Sequence, residues 1–364
     1  MKPDLKRITS HFDIEWEYLD AAPFGSGHIH DTYRISTKEQ HSPGYILQRI
    51  NTGIFRDVAT LQQNIETVTA HIRDKLKAIP GSDSLRQCMT VIRSRDGATW
   101  YTDEEGNNWR MFIYIARHRS YDSIDNEEKA FEGGRAIGTF TAMLADLPGD
   151  AVAETIRDFH NIDKRIADFR SSVTADRAGR AREVRREIDE IESRAESMRV
   201  IRRLGAEGQI PLRITHNDTK FNNVLLDEND RALCVIDLDT VMPGYVHYDF
   251  GDAIRTAANT GAEDAANTES VALSLSLYRA WSHGFLTETK HILTPTELDW
   301  LHFAPGLITF EQSLRFLADH IDGDVYYRVH FQNHNLQRAK AQLKLLQSME
   351  ANAEEMKSTI KALL

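Results

Sequence analysis

The sequence predicts an α+β protein in two lobes, a small N-terminal one rich in strands and a larger C-terminal one made mainly of helices. Three observations lead there. Between residues 15 and 115, short apolar or alternating runs are separated by glycine and proline, the pattern of strands and turns. From about residue 126, apolar residues instead recur every three or four positions, the period of amphipathic helices. The length, 364 residues, exceeds that of one ordinary domain. The change of period divides the chain into lobes of residues 1–116 and 117–364.

Hydrophobic residues make up 41% and charged residues 27% of the chain, as in folded rather than disordered proteins. No apolar run approaches the ~20 residues needed to span a bilayer. The opening Met1-Lys-Pro-Asp-Leu-Lys6 lacks the apolar stretch of a secretory signal. A cytoplasmic protein free of the membrane is expected, and a monomer. Cys88 and Cys234 both lie in apolar, strand-like surroundings, which predicts buried free thiols in a reducing compartment. The net charge of −11 sets the chain against general binding of nucleic acid, whose phosphates it would repel. It leaves nucleotides open, because metal ions and a few local cations meet their charge.

The stretch from Ile214 to Asp227 places His216, Asp218 and Asn223 in the spacing H-x-D-x-x-x-x-N. This is the catalytic-loop pattern of kinases, in which the aspartate orients the attacking hydroxyl and the asparagine holds Mg²⁺. The apolar run Leu233–Ile236 then delivers Asp237, where a second metal-binding carboxylate is expected. Phosphoryl transfer asks for in-line positioning and charge neutralisation more than for covalent chemistry. Asp218 as base, with Asn223 and Asp237 as hard oxygen ligands, meets that need. His216 reads as a residue that pins the loop. Asp249, in Tyr248-Asp-Phe-Gly-Asp-Ala-Ile-Arg255, either anchors the same loop or caps a helix.

The other elements follow in order. Glu15–Ala22 and Thr32–Ser36 are the first strands, joined by Pro23-Phe-Gly-Ser-Gly-His-Ile-His30. Gly25 and Gly27 let the backbone there approach a phosphate closely. Tyr45–Ile50 is the third strand. Successive side chains point to opposite faces, so only one of Gln48 and Arg49 can face the phosphates, and charge favours Arg49. Asp57–Leu76 is a helix by its apolar residues at 58, 61, 65, 68 and 72; Glu66 on it is the candidate partner of Arg49. Residues 88–101 read as two short strands around the Asp96-Gly97 turn. Trp109–Ile115 is a strand leading into the connection between lobes, where the backbone from Tyr114 to Ala116 would meet an adenine. Asn126–Leu147 is a helix ended by Leu147-Pro-Gly149. Over 176–204, Val184, Ile188, Ile191, Ala195, Met198 and Ile201 predict an amphipathic helix with solvated faces of mixed sign. The last helix begins near Leu336 and has Leu343, Leu345, Leu346 and Met349 on its apolar face.

Taken together, these stretches resemble the aminoglycoside phosphotransferase/choline kinase superfamily and, more narrowly, are similar to the bacterial N-acetylhexosamine 1-kinases. The resemblance rests on Gly27–Tyr33, Tyr45–Asn51, Thr215–Lys220, Asn222-Asn223, Ile236–Thr240, Met242–Gly244, Asp249–Asp252, Arg315–Asp319 and Gly323–Tyr326, in that order over nearly the whole chain. It implies a two-lobed, protein-kinase-like fold that uses ATP and Mg²⁺ to phosphorylate the anomeric hydroxyl of GlcNAc or GalNAc. Asp218 would be the base, and His28, Asp218, Arg315 and Tyr326 would line the sugar pocket. ATP would meet Gly25, Gly27, Arg49, Glu66, Tyr114 and Ala116.

Two positions depart from the pattern and bear on the choice of sugar. His30 stands where relatives often have Asn, and Thr256 where a larger aromatic is expected. The alternative within the same chemistry is a kinase for another sugar, an amino alcohol or an aminoglycoside. A cationic acceptor would call for acidic or aromatic walls, whereas Arg315 suits neutral hydroxyls. From another class, a non-catalytic nucleotide-binding regulator would have lost Asp218 or Asp237. No Ala-Pro-Glu follows Asp237, against a protein kinase.

Overall fold

Alternation of covered and open side chains builds the N-terminal third into one antiparallel sheet. A computed structural model describes residues 3–25, 29–39 and 41–364. After the short helix α1 (Leu5–Thr9) come β1 (Tyr18–Pro23), β2 (Asp31–Thr37), β3 (Tyr45–Arg49), β4 (Val91–Ile92), β5 (Tyr101–Thr102) and β6 (Asn108–Ile113). Their order is β1-β2-β3-β6-β4, with β5 also paired to β6. Tyr45, Leu47, Trp109 and Met111 bury with Ile8 and Phe12 on one face. The intervening Gln48 and Arg110 therefore point to the other face. Register sets Thr32, Gln48 and Arg110 side by side across β2, β3 and β6.

The hairpin expected over 88–101 is not made. β4 and β5 each pair with β6 instead of with one another. The Asp96-Gly97 turn closes only a local loop, with the Ser94 N–H on the Ala98 carbonyl at 2.8 Å. Two-residue runs gain more from the longer, buried β6 than from each other.

Helix α2 (Val58–Lys77) is capped by Asp57, whose carboxylate accepts the Thr60 N–H at 3.0 Å, and it buries Val58, Leu61, Ile65, Val68, Ile72 and Leu76. Asn64 is buried on the same helix. It donates to the Val241 and Ala153 carbonyls at 3.0 and 2.7 Å and accepts the Ala153 N–H at 3.0 Å, tying α2 to the helical part of the chain.

The short α3 (Ser84–Gln87) follows α2, and the helical part contains α4 (Glu127–Met143), α5 (Ile162–Ala175), α6 (Arg185–Arg194), α7 (Val200–Ala206), α8 (Val246–Ala257), α9 (Leu275–Thr289), α10 (Pro295–Trp300), α11 (Ala304–Asp322), α12 (His334–Ala351) and α13 (Ala353–Leu363). α4 and α9 touch backbone to backbone. A Cβ on Gly134 would lie 2.1 Å from the Trp281 carbonyl oxygen, and one on Gly284 would lie 2.0 Å from that of Phe131.

The single helix expected over 176–204 is interrupted. α5 stops at Ala175, Asp176 is left-handed with φ 38°, and regular helix resumes only at Arg185. Residues 176–183 hold little apolar surface to bury, so nothing there supports a helix. The apolar residues Val184, Ile188, Ile191, Met198 and Ile201 do share one core, with α11 and α12.

Two small two-stranded antiparallel sheets complete the fold: β7 (Arg213–Thr215) with β10 (Met242–Gly244), and the hairpin of β8 (Val224–Leu226) with β9 (Ala232–Val235). The loops β7–β8 and β9–β10 thereby run side by side. Cys88 and Cys234 are free and buried, and both line a cavity of about 110 Å³ between α2, α4 and β9. Burial pushes the Cys88 thiol up to about 11, the state of an unreactive thiol. Among the described residues, no helix is long and apolar enough to cross a membrane.

Candidate active site

Asp218 lies in the β7–β8 loop, which is held largely through one carboxylate. Asp249, on α8, accepts the N–H groups of His216 and Asn217 at 2.8 and 2.7 Å, and its carbonyl accepts the Thr219 hydroxyl at 2.7 Å. Of the two roles open to Asp249, the anchor is the one formed. The Thr219 N–H donates to Asp252, one helical turn on, at 3.0 Å. Asn217 is left-handed, with φ 63°, a conformation asparagine adopts more readily than most residues. Its amide secures the bend by donating to the Thr240 and Thr215 carbonyls at 2.9 and 3.2 Å.

His216 is fully buried. Its Nε2 lies 2.9 Å from the Ile236 carbonyl, and the Asp218 N–H is 3.3 Å from its Nδ1. A carbonyl only accepts and an N–H only donates, so the ring carries its proton on Nε2. The imidazole thus ties the catalytic loop to the residue just before Asp237.

Asp218 Oδ1 faces Lys220 Nζ at 2.8 Å. The Asn223 amide donates to the Asp218 carbonyl at 2.9 Å and to Oδ2 at 3.3 Å. Desolvation would pull the half-exposed Lys220 ammonium down, but the charges of Asp218 and Asp252 raise it overall, so it stays protonated. With its nitrogen engaged, Asn223 presents Oδ1 as a ligand atom. The Ile236 N–H donates to the Asn223 carbonyl at 2.9 Å, which brings Asn223 alongside Asp237. Asp237 is left-handed, φ 64°. Burial and the like charges of Asp239 and Asp218 push its carboxyl up to about 7. A divalent cation between Asn223 and Asp237 would relieve that repulsion, and the hard oxygen donors suit Mg²⁺.

Asp239 is held differently. Arg110 forks both its oxygens, with Nη2 2.7 Å from Oδ2 and Nη1 on Oδ1, and His30 Nε2 lies 2.7 Å from Oδ2. The Asn51 N–H donates to His30 Nδ1 at 3.0 Å, which leaves the proton on Nε2. Arg110 Nε donates to Gln48 at 3.0 Å, and Gln48 donates to the Thr32 hydroxyl at 3.1 Å. Burial opposes ionisation of Asp239, but Arg110 and His30 hold its carboxyl far below the usual range.

The expected Arg49–Glu66 pair is absent. Arg49 shares the parity of Tyr45 and Leu47, turns to the open edge of the sheet and pairs with Asp31, its register partner; Glu66 pairs with Arg93. The inner-face position on β3 belongs to Gln48, and the cation there is Arg110. Gly25 is left-handed, φ 80°. Gly27 and His28 lie outside the described residues. The Arg34 guanidinium sits 3.8 Å above the Tyr114 ring. The Tyr114 N–H donates to Gly44 at 3.1 Å, and the Ala116 carbonyl accepts Arg86 Nη2 at 3.2 Å.

Arg315, on α11, donates to Gln312 at 2.7 Å and lies 5.5 Å from the Tyr327 ring, while Tyr326 is 72% exposed. Asp319 builds the turn that carries both tyrosines by accepting the N–H groups of Val325, Tyr326 and Tyr327 at 2.8–2.9 Å. No direct contact joins Arg315 or Tyr326 to Asp218 among the described residues. Glu311, on the same helix as Arg315, lies 3.0 Å from His160. The Thr256 hydroxyl donates back to the Asp252 carbonyl at 3.1 Å.

The family model of the phosphotransferase enzymes matches residues 20–282. The chain belongs to the phosphotransferase enzyme family. It is a phosphotransferase of the aminoglycoside phosphotransferase family, as its motifs led us to expect. Solved structures share the fold of this phosphotransferase. A microcompartment-associated aminopropanol kinase is 15% identical, with 97% of this chain and 98% of that chain covered and a TM-score of 0.56. An aminoglycoside phosphotransferase from Alicyclobacillus acidocaldarius is 12% identical, with 100% and 97% covered and a TM-score of 0.61. A Plasmodium vivax ethanolamine kinase is 12% identical, with 89% and 82% covered and a TM-score of 0.51. At these identities the likeness is one of fold, α+β with a strand-rich N-terminal part. Among curated proteins, a UDP-N-acetylmuramoylalanine–D-glutamate ligase from Syntrophotalea carbinolica is 29% identical over 136 residues, 34% of this chain. The phosphotransferase spans only 29% of that ligase's length.

Sequence reasoning missed Lys220, Arg110, Asp239 and Asp252. Lys220 stood in view, two residues after Asp218 in the catalytic segment. Asp239 likewise follows Asp237 at the end of the same apolar run. Arg110 was recoverable from parity, since Trp109 and Met111 flank it as β6 core residues. The Thr219 N–H that Asp252 accepts lies on a distant loop and left no local signal.

Proposed function

We propose that this phosphotransferase moves the γ-phosphoryl group of ATP, with Mg²⁺, to the anomeric hydroxyl of an N-acetylhexosamine, GlcNAc or GalNAc. The observation that carries the reading is Asp218, fixed by the loop anchored on Asp249, with Lys220 on one oxygen and Asn223 on the other. Asp218 accepts the proton of the acceptor hydroxyl as its oxygen attacks phosphorus. Lys220 orients Asp218 and has further N–H donors for phosphoryl oxygens. Asn223 and Asp237 hold Mg²⁺, which when bound bridges the phosphate oxygens and neutralises their charge. Gly25, left-handed just beyond β1, lets the backbone approach the phosphates closely. The Tyr114 carbonyl and the Ala116 N–H, without protein partners among the described residues, offer one acceptor and one donor to the adenine edge. Residues 1–116 then form the nucleotide lobe and 117–364 the catalytic and acceptor lobe.

Charge pairing supports a neutral acceptor. Asp218 pairs with Lys220, Asp252 and Glu263 pair with Arg255 at 2.8 and 3.0 Å, and Glu311 pairs with His160. An amino alcohol or aminoglycoside ammonium would need an unpaired carboxylate or an aromatic cage. A sugar needs hydrogen-bonding groups, which Arg315 and Tyr326 supply, and the motif likeness to N-acetylhexosamine 1-kinases points the same way. ADP release in the presence of Mg²⁺ and ATP, with GlcNAc, GalNAc, glucose, choline, aminopropanol and kanamycin as acceptors, tests the reading. Turnover is expected with the N-acetylhexosamines, and none with either of them rejects it.

A further inference from the structure

Kinase-like sites take a cation from the strand-rich lobe to serve the phosphates, oriented by a carboxylate. On β3 the inner-face position holds the neutral Gln48, while Arg49 turns outward to Asp31. One strand over, in register with Gln48, Arg110 stands on the inner face and is only 2% exposed. Its Nε is held by Gln48, and Nη1 and Nη2 grip the two oxygens of Asp239. The same carboxylate also takes His30, which immediately precedes β2. One side chain of the β9–β10 loop therefore holds both β6 and the entry to β2. Asp239 belongs to the single 3₁₀ turn Leu238–Thr240 that Asp237 immediately precedes, so the two carboxylates are set by one short rigid segment.

We infer that Arg110 is the positioning cation of the strand-rich lobe, acting through Asp239, which it shares with His30, to set the Asp237 carboxylate for a divalent ion. The inference rests on the phosphoryl-transfer reading and adds residues to it. A guanidinium suits the task because its planar fork meets both carboxylate oxygens and stays charged when buried, whereas an ammonium makes a point contact. Gln48 fixes the plane of that fork. A buried ion pair is a poor source of stability beside apolar residues of equal volume, so its value here is geometric.

The test is Mg²⁺-dependent binding of a non-hydrolysable ATP analogue, measured by calorimetry without acceptor on the full chain. The variants are Arg110→Met, Arg110→Lys, His30→Gln and Arg49→Met, with thermal melts to report folding. Arg110→Met is expected to weaken binding about 10–100-fold, the usual cost of losing a partner of a metal ligand, and to raise the Mg²⁺ concentration at half-saturation by a similar factor. Arg110→Lys falls between it and wild type. His30→Gln, which keeps one donor for Asp239, loses less, and Arg49→Met loses least. If Arg110→Met does not fold, the ranking of the other three decides. Arg110 variants that fold and bind as wild type does, or a larger loss in Arg49→Met than in Arg110→Lys, overturn the inference and leave the proposed function standing. A wild-type protein that binds no Mg²⁺-nucleotide overturns both.

Discussion

Lys220 Nζ lies 2.8 Å from Asp218 Oδ1, and the charges of Asp218 and Asp252 outweigh desolvation of this half-exposed side chain and keep the ammonium protonated. A base that must stay anionic until the transition state gains from such a partner. Lys220→Met is expected to lower kcat by about 10²-fold, comparable to removing one preorganised donor from a transition state, with little change in the KM of the acceptor. Lys220→Arg is expected to recover part of it. Steady-state kinetics check this. A kcat within twofold of wild type in Lys220→Met would show that the ion pair is incidental.

Asp249 is the loop's anchor, and its removal strands two buried N–H groups, those of His216 and Asn217. Each unsatisfied group costs about 1–3 kcal/mol, so Asp249→Ala is expected to lose about 2–6 kcal/mol in urea unfolding. Asp249→Asn, which retains one acceptor oxygen, should lose less. Equal stabilities for the two variants would contradict the anchoring account.

His247 gives the fold an acid limit. It is fully buried, its Nε2 is 3.1 Å from the Glu297 carbonyl, and its Nδ1 has no partner. Burial lowers it from 6.5 to about 4. Between those values the unfolded chain binds a proton that the folded chain refuses, so stability rises with pH across the window and is lost on acidification from about 6.5 to 4. The loss is on the order of 3 kcal/mol. His247→Gln, which keeps a donor for Glu297 and cannot titrate, is expected to flatten acid unfolding followed by fluorescence. An unchanged slope of stability against pH would remove His247 from the account.

Gly134 tests the α4–α9 contact. With a Cβ 2.1 Å from the Trp281 carbonyl oxygen, Gly134→Ala must push two helix backbones apart. A loss of about 1–3 kcal/mol is expected, as for overpacking generally, and thermal unfolding measures it. A variant as stable as wild type would mean the helices separate freely.

What the sequence disclosed was mostly local. The period of Val58, Leu61, Ile65, Val68 and Ile72 specifies a helix whatever it packs on, and α2 is there. His216, Asp218 and Asn223 are one loop apart, so their grouping needs no knowledge of the fold. The partner of each inner-face cation was another matter. Choosing between Gln48 and Arg49 required knowing that Tyr45 and Leu47 bury on the outer face with α1. Charge alone favoured the residue that in fact turns to Asp31. The Arg110–Asp239 contact joins positions 129 residues apart, which periodicity does not reach. Over 176–204 the apolar period was real but belonged to a common core, not to one helix, because a break in the backbone leaves such a pattern intact.

The most direct measurement is ³¹P NMR of a reaction containing Mg²⁺, ATP and GlcNAc or GalNAc, run with wild type and with Asp218→Asn. The account predicts ADP together with a sugar 1-phosphate signal for wild type, and a rate about 10²–10⁴-fold lower for Asp218→Asn, whose nucleotide binding stays intact. Absence of any sugar phosphate with wild type, or a rate in Asp218→Asn within tenfold of it, would contradict the account.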